Sequence, residues 1–213
     1  MFYIRWISAV LLLAFAGYMF PLFHIHKLDE IERKRKMEQF NPEEFSKDFW
    51  KNQLQHSMDQ AVSMQTLMPL INNDPHQAKD KYSNTIGIGS VYYYYLKGAG
   101  YVKSIEEDAV AVVLQKESQN PDLRIMTGKI FGNAIRNGCN QLNVSDFPNS
   151  QEFNQISIYL NKIVENEVLP PFKNNASLGD RVNFVGCCEI IDEDADLHPL
   201  KLIPITLKIE KGL

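Results

Sequence analysis

Gly128, Gly132 and Arg136 form the one constellation in this sequence with the residue types for capturing an anion. Two glycines let backbones approach closely, and a short helix beginning near Asn133 would aim N–H groups at a ligand. A guanidinium at position 136 can then clamp a carboxylate or phosphate through two parallel bonds. The competing reading is structural: the glycines ease a turn, and Arg136 pairs internally with Asp146 or Glu152. Lys129 is the only other base nearby, which favours that second reading. The run Tyr92-Tyr93-Tyr94-Tyr95 is the next candidate. On a strand it places two rings on each face, so that one face packs while Tyr92 and Tyr94 offer stacking surfaces to a sugar or base. Cross-strand aromatic packing is the commoner use of such residues.

Other reactive residue types lack a working arrangement. The histidines (24, 26, 56, 76 and 198) are scattered without metal-ligand spacing, so no metal site is expected. Asp192, Glu193, Asp194 and Asp196 could suggest a cation loop. They lack the glycine and closing glutamate of a calcium hand, and a solvated turn is the better account. Sequence signatures of nucleophile elbows, phosphate loops and dinucleotide folds are absent, and neither a cofactor nor a catalytic residue is assigned. Cys139, Cys187 and Cys188 are odd in number and set no disulfide framework. Adjacent Cys187 and Cys188 on a strand point to opposite faces, so at most one faces Cys139. Buried thiols are the default, with a Cys139 bridge the alternative in an oxidising compartment.

These side chains need a scaffold. Asn41-Pro42-Glu43-Glu44 is a helix start, with Asn as cap, Pro in the first turn and Glu44 placed to reach back to the cap. Apolar residues from Phe45 to Ile71 then recur at helical spacing, which predicts one amphipathic helix whose methionine stripe is core. A short helix follows over 75–82. Strands are expected over 86–95, 101–105, 109–115 and 123–129, the first two interrupted by Lys97-Gly98-Ala99-Gly100. A helix over 150–168, ended by Pro170-Pro171, precedes strands over 181–191 and 202–209. The fold class is therefore α+β. An antiparallel OB-like barrel of five or six strands with an inserted helix fits the order best, and a half-open α+β sandwich is the alternative.

Residues 6–23 carry no charge and are about as long as a helix that crosses a bilayer, so residues 1–23 read as an uncleaved signal anchor with a single membrane pass, a cleaved signal peptide being the alternative. Residues 24–40 form a juxtamembrane linker, and 41–213 the water-soluble domain. The run Arg33-Lys34-Arg35-Lys36 follows Asp29, Glu30 and Glu32 and is a solvated helix rather than a nucleic-acid patch. A formal net charge of −4 also argues against nucleic acid as a partner. The flanking positive charges favour a cytoplasmic domain.

From Phe40 onward the order of motifs resembles a family of predicted bacterial periplasmic lipoproteins of unassigned function. The carrying residues are Phe40-Asn41-Pro42, Gly98 to Val102, the block Gly128 to Asn137, Asp146 to Asn149, Gly179 to Gly186 and Ile203-Pro204-Ile205. The resemblance implies an extracytoplasmic domain at the inner membrane, and an accessory role beside sugar transporters. Two departures stand out: no cysteine follows the apolar run to accept lipid, and Asn137 replaces the Asp that commonly follows the arginine. A non-enzymatic module binding a small ligand or a transporter component near Tyr92, Tyr94 and Arg136 is the expected function. An assembly protein acting through its helices, or a hydrolase using the acidic loop and Arg136, are the alternatives.

Overall fold

The fold was taken from a computed structural model that describes residues 40–86 and 89–210. The apolar segment 6–23, the linker to residue 39, His24, His26 and the basic run lie outside the described residues. Among the described residues, no helix is long and apolar enough to cross a membrane.

Asn41 caps the first helix, α1 (Pro42–Asp48), by accepting bonds from the Glu43 and Glu44 N–H groups at 3.0 and 3.3 Å. The helical path continues through a wide turn (Phe49–Leu54) and a tight one (Gln55–Gln60). The single long helix expected from the periodicity is not formed. The chain becomes extended at Ala61, runs through a two-residue strand β1 (Val62–Ser63), and restarts as α2 (Met64–Asn73). Burial explains the break. Phe49, Trp50 and Leu54 enter one hydrophobic cluster, and Met64, Leu67, Met68 and Ile71 enter another. One straight rod cannot serve both. The methionine stripe is core, as its spacing suggests.

Helix α3 (Pro75–Tyr82) starts on an Asp74 cap and leads to β2 (Ser83–Asn84). The sheet is then built from β3 (Tyr92–Ile105), β4 (Ala109–Val113), β5 (Leu123–Met126), β6 (Arg181–Ile190) and β7 (Leu200–Glu210). Between β5 and β6 lie α4 (Ala134–Gly138), α5 (Ser150–Ile163), a wide turn and α6 (Leu169–Asn175). A one-turn helix α7 (Glu193–Asp196) joins β6 to β7. Pro170 and Pro171 do not end the helical stretch. They occupy the first turn of α6, where a missing N–H costs little.

The pairings form a closed circuit: β3 with β4, β4 with β5, β5 with β7, β7 with β6, and β6 back to β3. It is not antiparallel throughout, since β5–β7 and β1–β3 are parallel. Strand β3 runs unbroken through Lys97-Gly98-Ala99-Gly100, where an interruption was expected. Those glycines mark crowding instead of a turn. A Cβ on Gly98 would sit 2.8 Å from Met64 Cβ, and one on Gly100 would sit 2.5 Å from Val112 Cγ1 and 2.6 Å from the Val113 carbonyl oxygen.

Alternation along β3 and β6 divides the interior in two. Tyr92, Tyr94, Leu96 and Cys188 join α2 in the first cluster, while Tyr95, Cys187 and Cys139 join α1, α4 and α5 in the second. All three cysteines are buried free thiols, with burial raising each above the usual thiol range. Adding a methyl at the crowded glycine should cost about 2–3 kcal/mol by overpacking. Gly100→Ala is therefore expected to lower the urea midpoint clearly. Gly89→Ala, where a Cβ would meet nothing within 4 Å, should change stability by no more than about 0.5 kcal/mol.

Candidate functional site

The structure separates the residues singled out in the sequence. Gly128 packs against the β3–β4 turn, where its N–H donates to the Asp108 carbonyl oxygen at 3.1 Å. A Cβ there would lie 2.3 Å from Asp108 Oδ1. Gly132 lies elsewhere, with φ of +83° and its backbone close to the Glu189 carboxylate. Arg136 is only 5% exposed and lines none of the five main cavities. The expected anion clamp is thus not assembled. Tyr92 and Tyr94 are enclosed, packed edge to face at 5.4 Å, and present no stacking surface to solvent.

Arg136 is instead consumed internally, though not by Asp146 or Glu152. Nη1 donates to the Phe153 carbonyl oxygen and to Asn154 Oδ1, each at 2.9 Å, and the guanidinium lies 3.9 Å from the Phe153 ring centre. Nε donates to Asn137 Oδ1 at 2.9 Å. Asn137 Nδ2 then donates to Tyr93 Oη at 3.0 Å, and the Tyr93 hydroxyl donates to Glu189 Oε1 at 2.8 Å. Burial lowers the Arg136 pKa and pushes the Tyr93 phenol up to about 12. The chain of donors therefore runs one way, from guanidinium to carboxylate, through an amide and a phenol that both keep their protons.

The acidic loop is also committed. Asp192 accepts from the Asp194 N–H, Asp196 accepts from the Ile191 and Asp192 N–H groups and pairs with Lys201, and Glu193 pairs with Lys79. None of these carboxylates bonds Arg136, which removes the arrangement a hydrolase was expected to use. Among the described residues, no three His, Cys, Asp or Glu side chains converge to hold a metal.

The open feature nearest this network is a groove of about 440 Å³ between loop 129–133 and α5. Its helical wall is Asn154, Ser157, Ile158, Asn161, Lys162 and Glu165, a stripe at helical spacing. Phe131 and Ile158 stand 76% and 54% exposed on its rim, while Ser157 is 4% exposed and its Oγ has no hydrogen-bond partner. Asn161 Nδ2 donates to the Gly132 carbonyl oxygen, and Asn154 Oδ1 is held by Arg136. At the far end Glu165 accepts from Lys129 Nζ at 2.6 Å and from the Ile130 N–H at 2.8 Å. Burial pulls the Glu165 carboxyl upward, but those two bonds outweigh it and the pKa is lowered. A larger concavity of about 560 Å³, between Lys97 and Lys208, holds no buried unpartnered polar atom.

The sequence did carry a signal for this groove. The buried stripe of α5 is Phe153, Ile156, Ser157, Leu160, Asn161 and Ile163, so two polar residues sit where apolar ones fit the period. Ile158 points out.

The described residues thus form an α+β domain whose closed strand circuit packs against helices and has a groove beside α5. A crystal structure of an OB-fold protein from Thermotoga maritima is similar, with a TM-score of 0.72 and 27% sequence identity over 80% of this chain and 99% of that one. Residues 9–208 match the family described as "Predicted periplasmic lipoprotein (DUF2291)", and the chain belongs to that family. Membership marks it as an envelope-associated, extracytoplasmic protein of unassigned activity. No curated protein matches it.

Two outcomes test the site. Asn137→Ala breaks both bonds of the amide and leaves Arg136 Nε and the Tyr93 hydroxyl underserved, so calorimetry should show a loss of about 2–3 kcal/mol. The second concerns pH. A carboxyl whose folded pKa lies below its unfolded value of about 4.5 stabilises the protein above that value, and the contribution vanishes as pH falls through the folded pKa. Glu165→Gln should therefore be less stable than the native chain by a constant amount near neutrality. In urea titrations that gap should close progressively below pH 4.5.

Proposed function

We propose that this protein is a non-enzymatic binding module of the cell envelope. In this reading residues 6–23 hold it at the inner membrane as a single-pass anchor, and the domain projects outward. The groove beside α5 engages a neighbouring envelope component, of which a transporter subunit is the natural example. The closed strand circuit is read as a small OB-like barrel serving as a rigid support.

The observation that carries the reading is the contrast between the two polar regions. Arg136, Glu189 and the acidic loop are occupied by internal bonds, whereas the groove combines exposed Phe131 and Ile158 with an unpartnered, buried Ser157 Oγ. Its volume lies within the range of binding pockets, and an apolar rim around a few converging polar groups is the usual composition of one. The usual nucleic-acid face of an OB fold supports nothing comparable here. Strand β4 is buried along its whole length, and Arg124 on β5 is paired with Glu106.

A photoreactive amino acid at position 131 or 158, in the full chain in living cells, should give a discrete adduct with an envelope protein. The same group at Ile105 or Leu178, which are comparably exposed, should give none. Phe131→Glu with Ile158→Glu should leave the melting temperature within about 2–3 °C, because both side chains already face solvent. Absence of an adduct at both groove positions, or equal adducts at the control positions, would overturn the reading.

A further inference from the structure

We infer that the groove takes an extended peptide segment of its partner and reads that segment chiefly through its backbone. This deepens the reading of the groove as the binding surface and rests on it.

The argument begins with two side-chain amides whose orientation is fixed by chemistry. Arg136 Nη1 can only donate, so the atom of Asn154 that faces it at 2.9 Å must be the oxygen, leaving Nδ2 for a ligand. The Gly132 carbonyl can only accept, so the atom of Asn161 that faces it at 3.1 Å must be the nitrogen, leaving Oδ1. One amide therefore offers a donor and the other an acceptor. A peptide backbone presents the complementary pair, a C=O and an N–H, at regular intervals.

The spacing fits as well. Asn154 and Asn161 are seven residues apart on α5, which is about 10.5 Å of helix rise. An extended chain advances about 3.3 Å per residue, and its backbone groups alternate between two sides with a period of two residues. Asn154 Nδ2 then meets the carbonyl of one residue, and Asn161 Oδ1 the N–H four positions along, which points to the same side of the chain about 11 Å away. Ser157 lies between them, and its buried, unpartnered Oγ can either donate or accept. The whole stripe from Asn154 to Glu165 is about 16 Å long, or roughly five extended residues. Alternate side chains of such a segment would lie against Phe131 and Ile158 on the rim, and the Lys129–Glu165 pair closes the far end.

The test uses the full chain in lipid nanodiscs. Peptide-displaying phage are selected on the native protein and counter-selected on the Phe131→Glu/Ile158→Glu variant, and the recovered peptide is then methylated at each backbone nitrogen in turn. A loss of affinity of tenfold or more is expected at the nitrogen facing Asn161 Oδ1, and Asn161→Leu should abolish that sensitivity. Asn154→Leu should weaken the unmethylated peptide by a similar factor. Because Asn154 is exposed, that arm remains informative even if Asn161→Leu folds poorly. Recovery of no groove-dependent peptide, or of peptides indifferent to methylation, would overturn the inference. A neutral oligosaccharide that instead competes with the photoadduct at position 158 would also overturn the peptide assignment, while leaving the groove as the binding surface.

Discussion

Strand β3 is the constraint on which the rest of the structure depends. It pairs along one edge with β6 and along the other with β1, β2 and β4, so the strand circuit closes through it. Closure requires the backbone to pass very near its neighbours, and Gly98 and Gly100 stand at those contacts. The same strand sorts side chains. Residues of one parity, Tyr92, Tyr94 and Leu96, fill the interior cluster, and Tyr95 fills the cluster beneath α1, α4 and α5. A slip of one residue would exchange the two sets and pull the helices off the sheet. The helices are thus positioned by the alternation of β3 and β6 more than by their own sequences.

Tyr93 is the member of that series that connects packing to polarity. Its hydroxyl joins Asn137 to Glu189, and so ties α4 to β6. Burying a guanidinium costs several kcal/mol unless its donors are satisfied and its charge is answered. Arg136 meets the first condition through Asn137, Asn154 and the Phe153 carbonyl, and the second at a distance through Glu189. Asn137 suits this relay because an amide accepts on one side and donates on the other. A carboxylate in its place would pair with Arg136 directly, but it would give Tyr93 no donor and add a second negative charge on the side of Glu189. The asparagine at this position is consistent with a network built to lock α4 and α5 together.

Much of the fold was legible from residue types. The cap at Asn41, the helix over 75–82, the opposed cysteines and the succession of helices and strands along the chain all follow from local chemistry and period. The misreadings share a cause. Periodicity tells which residues are buried and not against what, so the helix expected to run to Ile71 concealed a change of core at Ala61. Glycines in a strand look like a turn until the neighbouring strand is known, as at Gly98 and Gly100. The candidate site failed for the same reason. Gly128, Gly132 and Arg136 are close in sequence, yet Asp108 in the β3–β4 turn, Glu189 on β6 and Asn154 on α5 decide what each of them meets.

The groove could not be recognised from any single motif, because its two walls come from different segments and its polar groups are individually unremarkable. What makes them specific is the network behind them. Arg136 fixes the amide of Asn154, Gly132 fixes that of Asn161, and Glu165 holds the loop through Lys129 and the Ile130 N–H. Arg136 is in turn linked to the sheet through Asn137, Tyr93 and Glu189, and the loop leaves the β3–β4 turn where the Gly128 N–H bonds Asp108. A surface prepared in this way loses little side-chain freedom on binding, which raises affinity without adding contacts. The buried arginine that first suggested a ligand clamp therefore acts one layer behind the surface, by orienting the amide that a ligand would meet.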